Sequence, residues 1–178
     1  MTSIIRATID RSRGSTFTVQ RSLNLKNITV QMKLSKLNNI FEDNSVKIAY
    51  LFGSQKDVGV AYLSGQDINL DKISDLDIGV VFDSHPRDIY RTYGDLYSDL
   101  GEIFHSFNLD LVFLQETDPL FQYEAMQGHL IYADDEQFLD KYEERILKLA
   151  SDLDFKKKKY QKEIFEAVKD GYFEITLR

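Results

Sequence analysis

Apolar positions along the chain form two patterns, short continuous runs and longer runs of helical period. Three of the short runs cover residues 46–52, 74–82 and 108–114, and polar residues or glycine bound each of them. Runs of this length, rich in valine, isoleucine and phenylalanine, are typical of buried β-strands. A shorter run at residues 129–133 predicts a small additional strand.

Helical periodicity fills the segments between these strands. Apolar residues recur every three or four positions in residues 28–41 and 89–107, which predicts two amphipathic helices. Shorter helices are predicted from Gln55 onward and over residues 120–128, the second closed by Gly128. The strand, helix, strand order over residues 74–114 predicts an α/β sheet.

The two ends of the chain are interpreted separately from this core. Residues 1–26 hold short β-prone pieces at 3–9 and 16–19, and we interpret them as an N-terminal extension, either a hairpin arm or a partly ordered segment. Residues 27–135 are predicted to form the core domain. Residues 136–178 are predicted to be a C-terminal segment of two helices, whose apolar faces cover the sheet or a partner chain.

Three aspartates on the predicted strands are candidates for metal chemistry. Because side chains on a strand alternate between faces, Asp75 and Asp77 project from one face, about 7 Å apart. Two carboxylates this close in a partly buried site repel each other unless a cation lies between them. Mg²⁺ commonly takes one or two carboxylates and completes its shell with water and phosphate oxygens. Asp110, in the third predicted strand, is costly at a core position unless it is paired or binds a metal.

A glycine and a serine follow the first predicted strand directly. Gly53 and Ser54 allow backbone N–H groups and a hydroxyl to approach a phosphate. This arrangement is strongest when a helix begins at the same place and points its positive end at the ligand. The sequence therefore predicts a phosphate cradle beside the acidic residues.

Composition limits the function classes. The 178 residues, 43% of them apolar, suffice for one well-cored domain with a helical appendage. The formal net charge of −7 argues against direct nucleic-acid binding along a basic face. The lack of cysteine excludes disulfides, thiolate metal sites and cysteine nucleophiles. With no signal-peptide pattern and no run near the roughly 20 apolar residues of a membrane span, we expect a soluble, cytoplasmic protein.

The spacing of these residues resembles a known superfamily. The succession Phe52-Gly53-Ser54, Asp75-Leu76-Asp77 and Leu109-Asp110-Leu111-Val112 resembles the nucleotidyltransferases with a DNA polymerase β-like palm. Further along, DLVFLQETDPLFQYEAMQGHLIYADDE and SDLDFKKKKYQKE resemble the minimal nucleotidyltransferases of the MntA type. Those are antitoxin partners of HEPN-domain ribonuclease toxins. The resemblance covers residues 46–163 and implies a small mixed β-sheet flanked by helices.

The resemblance also implies an activity. In it, Asp75 and Asp77 bind metal ions, two Mg²⁺ being expected, and Asp110 is the third ligand or the base toward the attacking hydroxyl. Gly53 and Ser54 hold the terminal phosphates of ATP. The implied reaction transfers AMP from ATP to a tyrosine of the toxin and releases pyrophosphate, with this chain acting as antitoxin in a hetero-oligomer. Two metal ions that stabilise the attacking and leaving oxygens fit this chemistry.

The segment after the serine departs from the family pattern. The family commonly has a small residue, arginine and glycine there, and this chain has Gln55, Lys56 and Asp57. We interpret Lys56 as the basic phosphate contact. A lysine presents a single ammonium charge, whereas an arginine can form two parallel hydrogen bonds to a phosphate. The connector over residues 55–74 is about twice as long as is usual, and we expect it to gate ATP or to contact the partner.

Other functions stay open from the residues alone. The same chemistry on a different acceptor would make the chain a small-molecule or antibiotic nucleotidyltransferase, and loss of chemistry would make it an antitoxin that neutralises by covering the toxin. The three histidines lack metal-ligand spacing and are interpreted as structural or surface residues. Among the ten tyrosines, some are expected to stack on adenine, and the pattern singles out none.

Overall fold

The structure is a computed structural model that describes residues 13–68 and 74–170, with side chains from residue 27 onward. Helices alternate with strands along most of the chain. The helices are α1 (Arg13–Asp43), α2 (Lys56–Leu63), α3 (Ile89–Ile103), α4 (Pro119–Met126) and α5 (Glu136–Lys169), with a 3₁₀ turn at Leu114–Glu116. The strands are β1 (Val46–Phe52), β2 (Leu76–Phe82), β3 (Leu109–Phe113) and β4 (His129–Ala133).

The four strands form one mixed sheet in the order β3-β2-β1-β4. β1 runs antiparallel to both β2 and β4, whereas β2 and β3 are parallel. A parallel pair needs a crossover connection, and α3 supplies it between β2 and β3. The predicted α/β class, with a small mixed sheet flanked by helices, is confirmed.

Each face of the sheet carries its own apolar core. On one face, β1 and β2 residues pack against α1 and α3, and the most buried helical members are Leu37, Phe41, Leu96 and Leu100. On the other face, the alternate residues of the same strands pack against α4 and α5, through Ala125, Tyr142 and Ile146. Because both faces are covered, β1 and β2 are apolar almost throughout, which explains their continuous runs in the sequence.

A buried polar network joins β1, α4 and α5. The Tyr50 hydroxyl donates to Glu143 at 2.7 Å, and the Tyr142 hydroxyl donates to Gln122 at 3.1 Å. The Gln122 amide in turn donates to the Thr117 carbonyl at 2.8 Å. Burial raises the pKa of both tyrosines well above the usual value, so both hydroxyls stay protonated donors. The network thereby satisfies the polar groups that the second core encloses.

Two sequence predictions at the ends of the chain were wrong. The β-prone piece at residues 16–19 lies inside α1, which begins at Arg13, while the piece at 3–9 falls outside the described residues. A short β-prone piece forms a strand only with a pairing partner, and none of the four strands pairs with it. The two predicted C-terminal helices are one continuous helix, α5.

The continuity of α5 has a local cause. No glycine or proline interrupts residues 136–169. The charged residues in the middle of this helix form pairs one turn apart, with Lys158 at 2.6 Å from Asp154 and Lys159 at 3.9 Å from Glu163. Such pairs stabilise a helix on its exposed side.

Among the described residues, no helix combines the length and apolar character needed to cross a bilayer.

Two neighbouring residues of α5 test which side of the helix supports the fold. Ile146 is 1% exposed and Leu147 is 50% exposed. We expect Ile146→Ala to lower the free energy of unfolding by about 2–5 kcal/mol, because it leaves a cavity under the sheet. The control Leu147→Ala is expected to cost less than about 1 kcal/mol. Urea denaturation followed by circular dichroism measures both, and equal losses would contradict this packing of α5.

Candidate functional site

The strand register brings three of the predicted residues to one end of the sheet. Phe52, the last residue of β1, is paired with Asp77 on β2, and Asp77 is paired with Asp110 on β3. Gly53 follows Phe52 directly. Gly53, Asp77 and Asp110 therefore lie side by side at the ends of three adjacent strands. Asp75 stands one residue before β2, on the same side of the strand as Asp77. One end of the sheet therefore gathers the acids and the start of the glycine-serine segment.

Gly53 lies against the carboxylate of Asp77. Its φ of +69° is in the left-handed region, which favours glycine. A Cβ atom placed on Gly53 would lie 2.0 Å from Asp77 Oδ2, so the carboxylate or the backbone would have to shift. The glycine thus has a second role that the sequence pattern did not indicate, because its missing side chain leaves room for the acid.

The electrostatics of the acids match a cation site. The pKa of Asp77 is raised, first by burial and then by the negative charges of Asp110 and Asp75. A cation near these carboxylates would reverse that effect, and two carboxylates with water and phosphate oxygens are the ligands that Mg²⁺ commonly takes. In the described part of the chain, no three histidine or acidic side chains converge closely enough to form a metal site by themselves. The donor set therefore fits an ion that is also held by water and by the phosphates of a substrate.

The segment after Gly53 leads into the first turn of α2. Ser54 is exposed, and the following Gln55 is buried at the N-cap position without a side-chain hydrogen bond to the helix. The side chain of Gln55 therefore does not cap the first N–H groups of α2. An anion-binding helix end requires such uncapped N–H groups. The ammonium of Lys56 donates to the Gln127 carbonyl at 3.3 Å, which places this predicted phosphate contact at the turn between α4 and β4.

The same turn is tied to α2 by a histidine. His129 Nε2 lies 2.6 Å from Asp57 Oδ1, and this hydrogen bond lowers the pKa of Asp57. A Cβ atom on the neighbouring Gly128 would lie 2.1 Å from the Leu51 carbonyl oxygen, so the turn packs directly on β1. His129 thus forms a hydrogen bond with an acid in the first turn of α2. This contact is a structural role, as predicted for the histidines.

Tyr93 is a partly exposed aromatic residue of α3 that sequence reasoning missed. It falls within the apolar periodicity of residues 89–107 that predicted this helix, yet it is 39% exposed. Its ring stacks on Tyr97, with centroids 6.0 Å apart and planes 14° apart, and packs on Phe113 of β3. Burial and the charge of Asp110 raise its pKa. The available signal was the spacing of tyrosines at positions 90, 93 and 97, which share one side of a helix.

A well-formed cleft lies elsewhere. It has a volume of about 490 Å³ and opens at the far end of β2, and its lining comprises Val81, Phe82, Asp83, His85, Gln115, Phe138, Lys141, Tyr142 and Arg145. None of the predicted site residues lines it. We assign the candidate site to the acidic end of the sheet because the register brings Gly53, Asp77 and Asp110 together there.

The sequence and the fold were compared with known proteins. Residues 35–137 match the family model described as polymerase beta, nucleotidyltransferase. That region includes every predicted site residue. No curated protein matches the chain in sequence.

Several solved structures share the fold at low sequence identity. A mutant MntA–HpeT toxin–antitoxin complex matches with a TM-score of 0.55 and 17% identity, over 74% of this chain and 98% of the other. A toxin–antitoxin structure with AMP-PNP has the same TM-score at 16% identity, with 74% of this chain and 98% of the other covered. The tri-AMPylated Shewanella oneidensis HEPN toxin in complex with MNT antitoxin gives a TM-score of 0.51 and 16% identity, over 76% and 98%.

The raised pKa of Asp77 generates a test of the site that needs no substrate. A folded-state pKa above the unfolded value, near 3.8, means that the ionised acid costs stability. This cost is absent below that pH, and it grows as the pH rises and is complete above the folded-state pKa. We therefore expect Asp77→Asn to raise the Tm at about pH 7.5 in a chelator, and to leave it unchanged well below pH 3.8.

Asp83→Asn is the matched control for this measurement. Asp83 is exposed just past the other end of β2, away from the three acids, and its substitution should leave the Tm nearly unchanged at either pH. A lower Tm for Asp77→Asn at about pH 7.5 would show that the carboxylate is stabilised in the folded chain, against the electrostatics described above.

Proposed function

The chain belongs to the polymerase beta nucleotidyltransferase family, and on that premise we propose that it transfers AMP from ATP to a tyrosine hydroxyl of a HEPN-domain toxin. In this proposal the transfer depends on Mg²⁺ and neutralises the toxin, which makes the chain an antitoxin. The observation that carries it is the strand register, which aligns Gly53, Asp77 and Asp110 on adjacent strands. Residues 27–135 are proposed as the catalytic domain.

The phosphates of ATP are assigned to the side of β1. Gly53 and Ser54 provide backbone and hydroxyl contacts, and the first turn of α2 directs N–H groups at the same place. Lys56, at the start of α2, supplies a positive charge to the leaving pyrophosphate. Because Asp57 is held by His129, the only acid in that first turn is engaged away from the phosphates.

The metal is assigned to the centre of the site. Asp75, Asp77 and Asp110 would hold it, and two Mg²⁺ are expected. When bound, the metal supplies positive charge for the attacking and leaving oxygens of the displacement. The support is the raised pKa of Asp77, since carboxylates that repel each other without a cation are favourable ligands for one. The exposure of Asp75 and Asp110 leaves them accessible to substrate and solvent.

Asp110 is assigned the role of general base toward the acceptor hydroxyl. Its carboxylate takes the proton of the tyrosine hydroxyl as that oxygen forms a bond to the α-phosphorus of ATP. The bond between that phosphorus and the oxygen of the leaving pyrophosphate breaks, and AMP stays on the acceptor. A carboxylate at an exposed position of the strand can reach a hydroxyl on another protein, which a buried one cannot.

The choice of partner draws on the structures of similar fold. They include MNT antitoxin in complex with HEPN toxin, a toxin–antitoxin structure with AMP-PNP, and a toxin described as tri-AMPylated. Applied to this chain, these descriptions favour a protein acceptor, ATP as donor and a hetero-oligomer with the toxin.

The direct test uses the purified chain, a HEPN-domain protein of the same genome, Mg²⁺ and ATP labelled in the α-phosphate. We expect label on the HEPN protein, and none after chelation of Mg²⁺. The double substitution Asp75→Asn with Asp77→Asn is expected to abolish transfer, and Asp110→Asn to slow it by about 10²–10⁴-fold, the range of a general base. Asp83→Asn, which changes an exposed acid away from the site, serves as the control.

The same variants separate chemistry from occlusion. If AMP transfer neutralises the toxin, the double asparagine variant loses neutralisation of its ribonuclease activity. Neutralisation that persists in this variant would refute the catalytic antitoxin and favour an antitoxin that works by covering the toxin.

A glycine substitution tests the phosphate cradle. Gly53→Ala adds a Cβ where Asp77 Oδ2 lies 2.0 Å away, and it strains a backbone at φ +69°. We expect AMP transfer to fall by at least about 10²-fold, because both the cradle and the acid must move. Gly101→Ala is the matched control, since its Cβ meets nothing within 4 Å. Steady-state kinetics over a range of ATP concentrations measures both, and wild-type kinetics in Gly53→Ala would contradict this site.

A further inference from the structure

Two polar side chains are buried in the described part of the chain, and both are glutamines. Gln122 is 6% exposed and Gln55 is 8% exposed. The Gln122 amide is engaged at both ends, since it donates to the Thr117 carbonyl at 2.8 Å and accepts from the Tyr142 hydroxyl at 3.1 Å. The Gln55 amide forms no hydrogen bond to any described residue. Because the great majority of buried polar groups in proteins are hydrogen-bonded, this exception calls for an explanation.

The amide of Gln55 remains accessible from the surface. Within the described residues, every fully enclosed side-chain nitrogen and oxygen has a hydrogen-bond partner. The Gln55 amide has none, so it is not fully enclosed and an atom of a ligand can reach it. The two residues before it, Gly53 and Ser54, are exposed. Most of the Gln55 side chain is therefore held within the protein, while its polar end is open to a partner from outside.

Close packing of α2 on the sheet fixes the position of Gln55. The Gly59 N–H donates to the Gln55 carbonyl at 2.9 Å, one turn into the helix. A Cβ atom on Gly59 would lie 2.8 Å from Leu76 Cδ1 and 3.0 Å from Leu51 Cδ1, so α2 lies directly on β1 and β2. The two strands that carry the site therefore also hold the start of α2.

Gln55 lies close to the acidic end of the sheet. It follows Gly53 by two residues, so their Cα atoms are at most about 7 Å apart. Gly53 in turn lies against the Asp77 carboxylate. Gln55 is also the N-cap residue of α2, where a side-chain oxygen commonly accepts from the first N–H groups, and its side chain does not do so. Both the amide and those N–H groups are thus left for a ligand.

We propose that the side-chain amide of Gln55 donates a hydrogen bond to the phosphate chain of ATP and is a binding residue for the nucleotide. The inference rests on the proposed function, which assigns the phosphates to this end of α2. The neighbouring groups of the helix, its first N–H groups and Lys56, are donors. The acid of that turn, Asp57, is engaged by His129. These surroundings favour an anionic oxygen as the acceptor of the hydrogen bond, and such charge-assisted hydrogen bonds are the stronger kind.

The test replaces glutamines with methionine, which has a similar length and no amide. Gln55→Met removes the proposed donor, and Gln122→Met is the matched control at the other buried glutamine. Gln137→Met, at an exposed glutamine of α5, is the control for the methionine itself. Gln55→Glu keeps the shape of the side chain and replaces the donor with a negative charge. Thermal unfolding gives the Tm, calorimetry with Mg²⁺ and AMP-PNP gives the Kd, and the transfer assay gives the KM for ATP.

Gln55→Met is expected to separate stability from nucleotide binding. Its Tm should equal or exceed that of wild type, because no hydrogen bond within the chain is lost. The Kd for AMP-PNP and the KM for ATP should rise by about ten- to 100-fold, as expected for loss of a hydrogen bond to a charged group. Gln55→Glu should weaken binding further, since its charge repels the phosphates. Gln122→Met should do the reverse, with a lower Tm and a Kd within about twofold of wild type.

Three results would overturn the proposal. A Kd within about twofold of wild type in Gln55→Met would show that the amide is hydrated and does not contact the nucleotide. A lower Tm or loss of folding in Gln55→Met would assign the side chain to the stability of the fold. Binding by Gln55→Glu that equals or exceeds that of Gln55→Met would show that the amide is not a donor to a phosphate.

The binding measurement also separates this proposal from the proposed function. If the wild-type chain binds AMP-PNP and transfers no label to the HEPN-domain protein, the proposed reaction fails, and the Kd values still decide the role of Gln55. A wild-type chain that does not bind AMP-PNP would refute both.

Discussion

The close approach of Gly53 to the Asp77 carboxylate is the contact on which the site depends. It exists because β1 and β2 pair in one register, with Phe52 opposite Asp77. Side chains on a strand alternate, so a slip of one residue would turn Asp77 into the core that α1 and α3 cover and would expose Ile78. The apolar residues that fill both cores therefore also fix the position of the acid. Packing and chemistry are specified by the same pairing.

The same pairing holds Asp77 close to two other acids, and the repulsion between their negative charges destabilises the folded chain. Burial, Asp110 and Asp75 all raise the pKa of Asp77, so the ionised acids oppose folding. Two apolar cores on opposite faces of the sheet, with the polar network around Tyr50 and Gln122, supply the stability that offsets this cost. In the proposed function, the repulsion between the acids is what makes them ligands for a cation.

The sheet also gives the site two unequal sides. On the β1 side, the turn around Gly128 packs directly on β1, and Lys56 of α2 donates to the Gln127 carbonyl of this turn. On the β3 side the sheet ends, and exposed aromatic rings of α3 adjoin the strand. In the proposed function, the phosphates of ATP are assigned to the β1 side. The asymmetry follows from β3 being the edge strand.

By itself the sequence determined the four strands, the helices between them and the residues to which the proposed chemistry is assigned. These features can be predicted from short stretches of sequence. The period of the apolar residues, the turn residues and an acid within an apolar run can each be recognised within a few positions. Strand order, the contact between Gly53 and Asp77, and the packing of Tyr93 on Phe113 were decided only by the tertiary structure. Each of these joins residues far apart in the chain, whose pairing depends on packing of the whole sheet. The start of α1 and the continuity of α5 were missed because the β-prone piece in α1 and the residues between the two apolar stripes of α5 permit a helix as readily as a break, and there the local pattern does not choose.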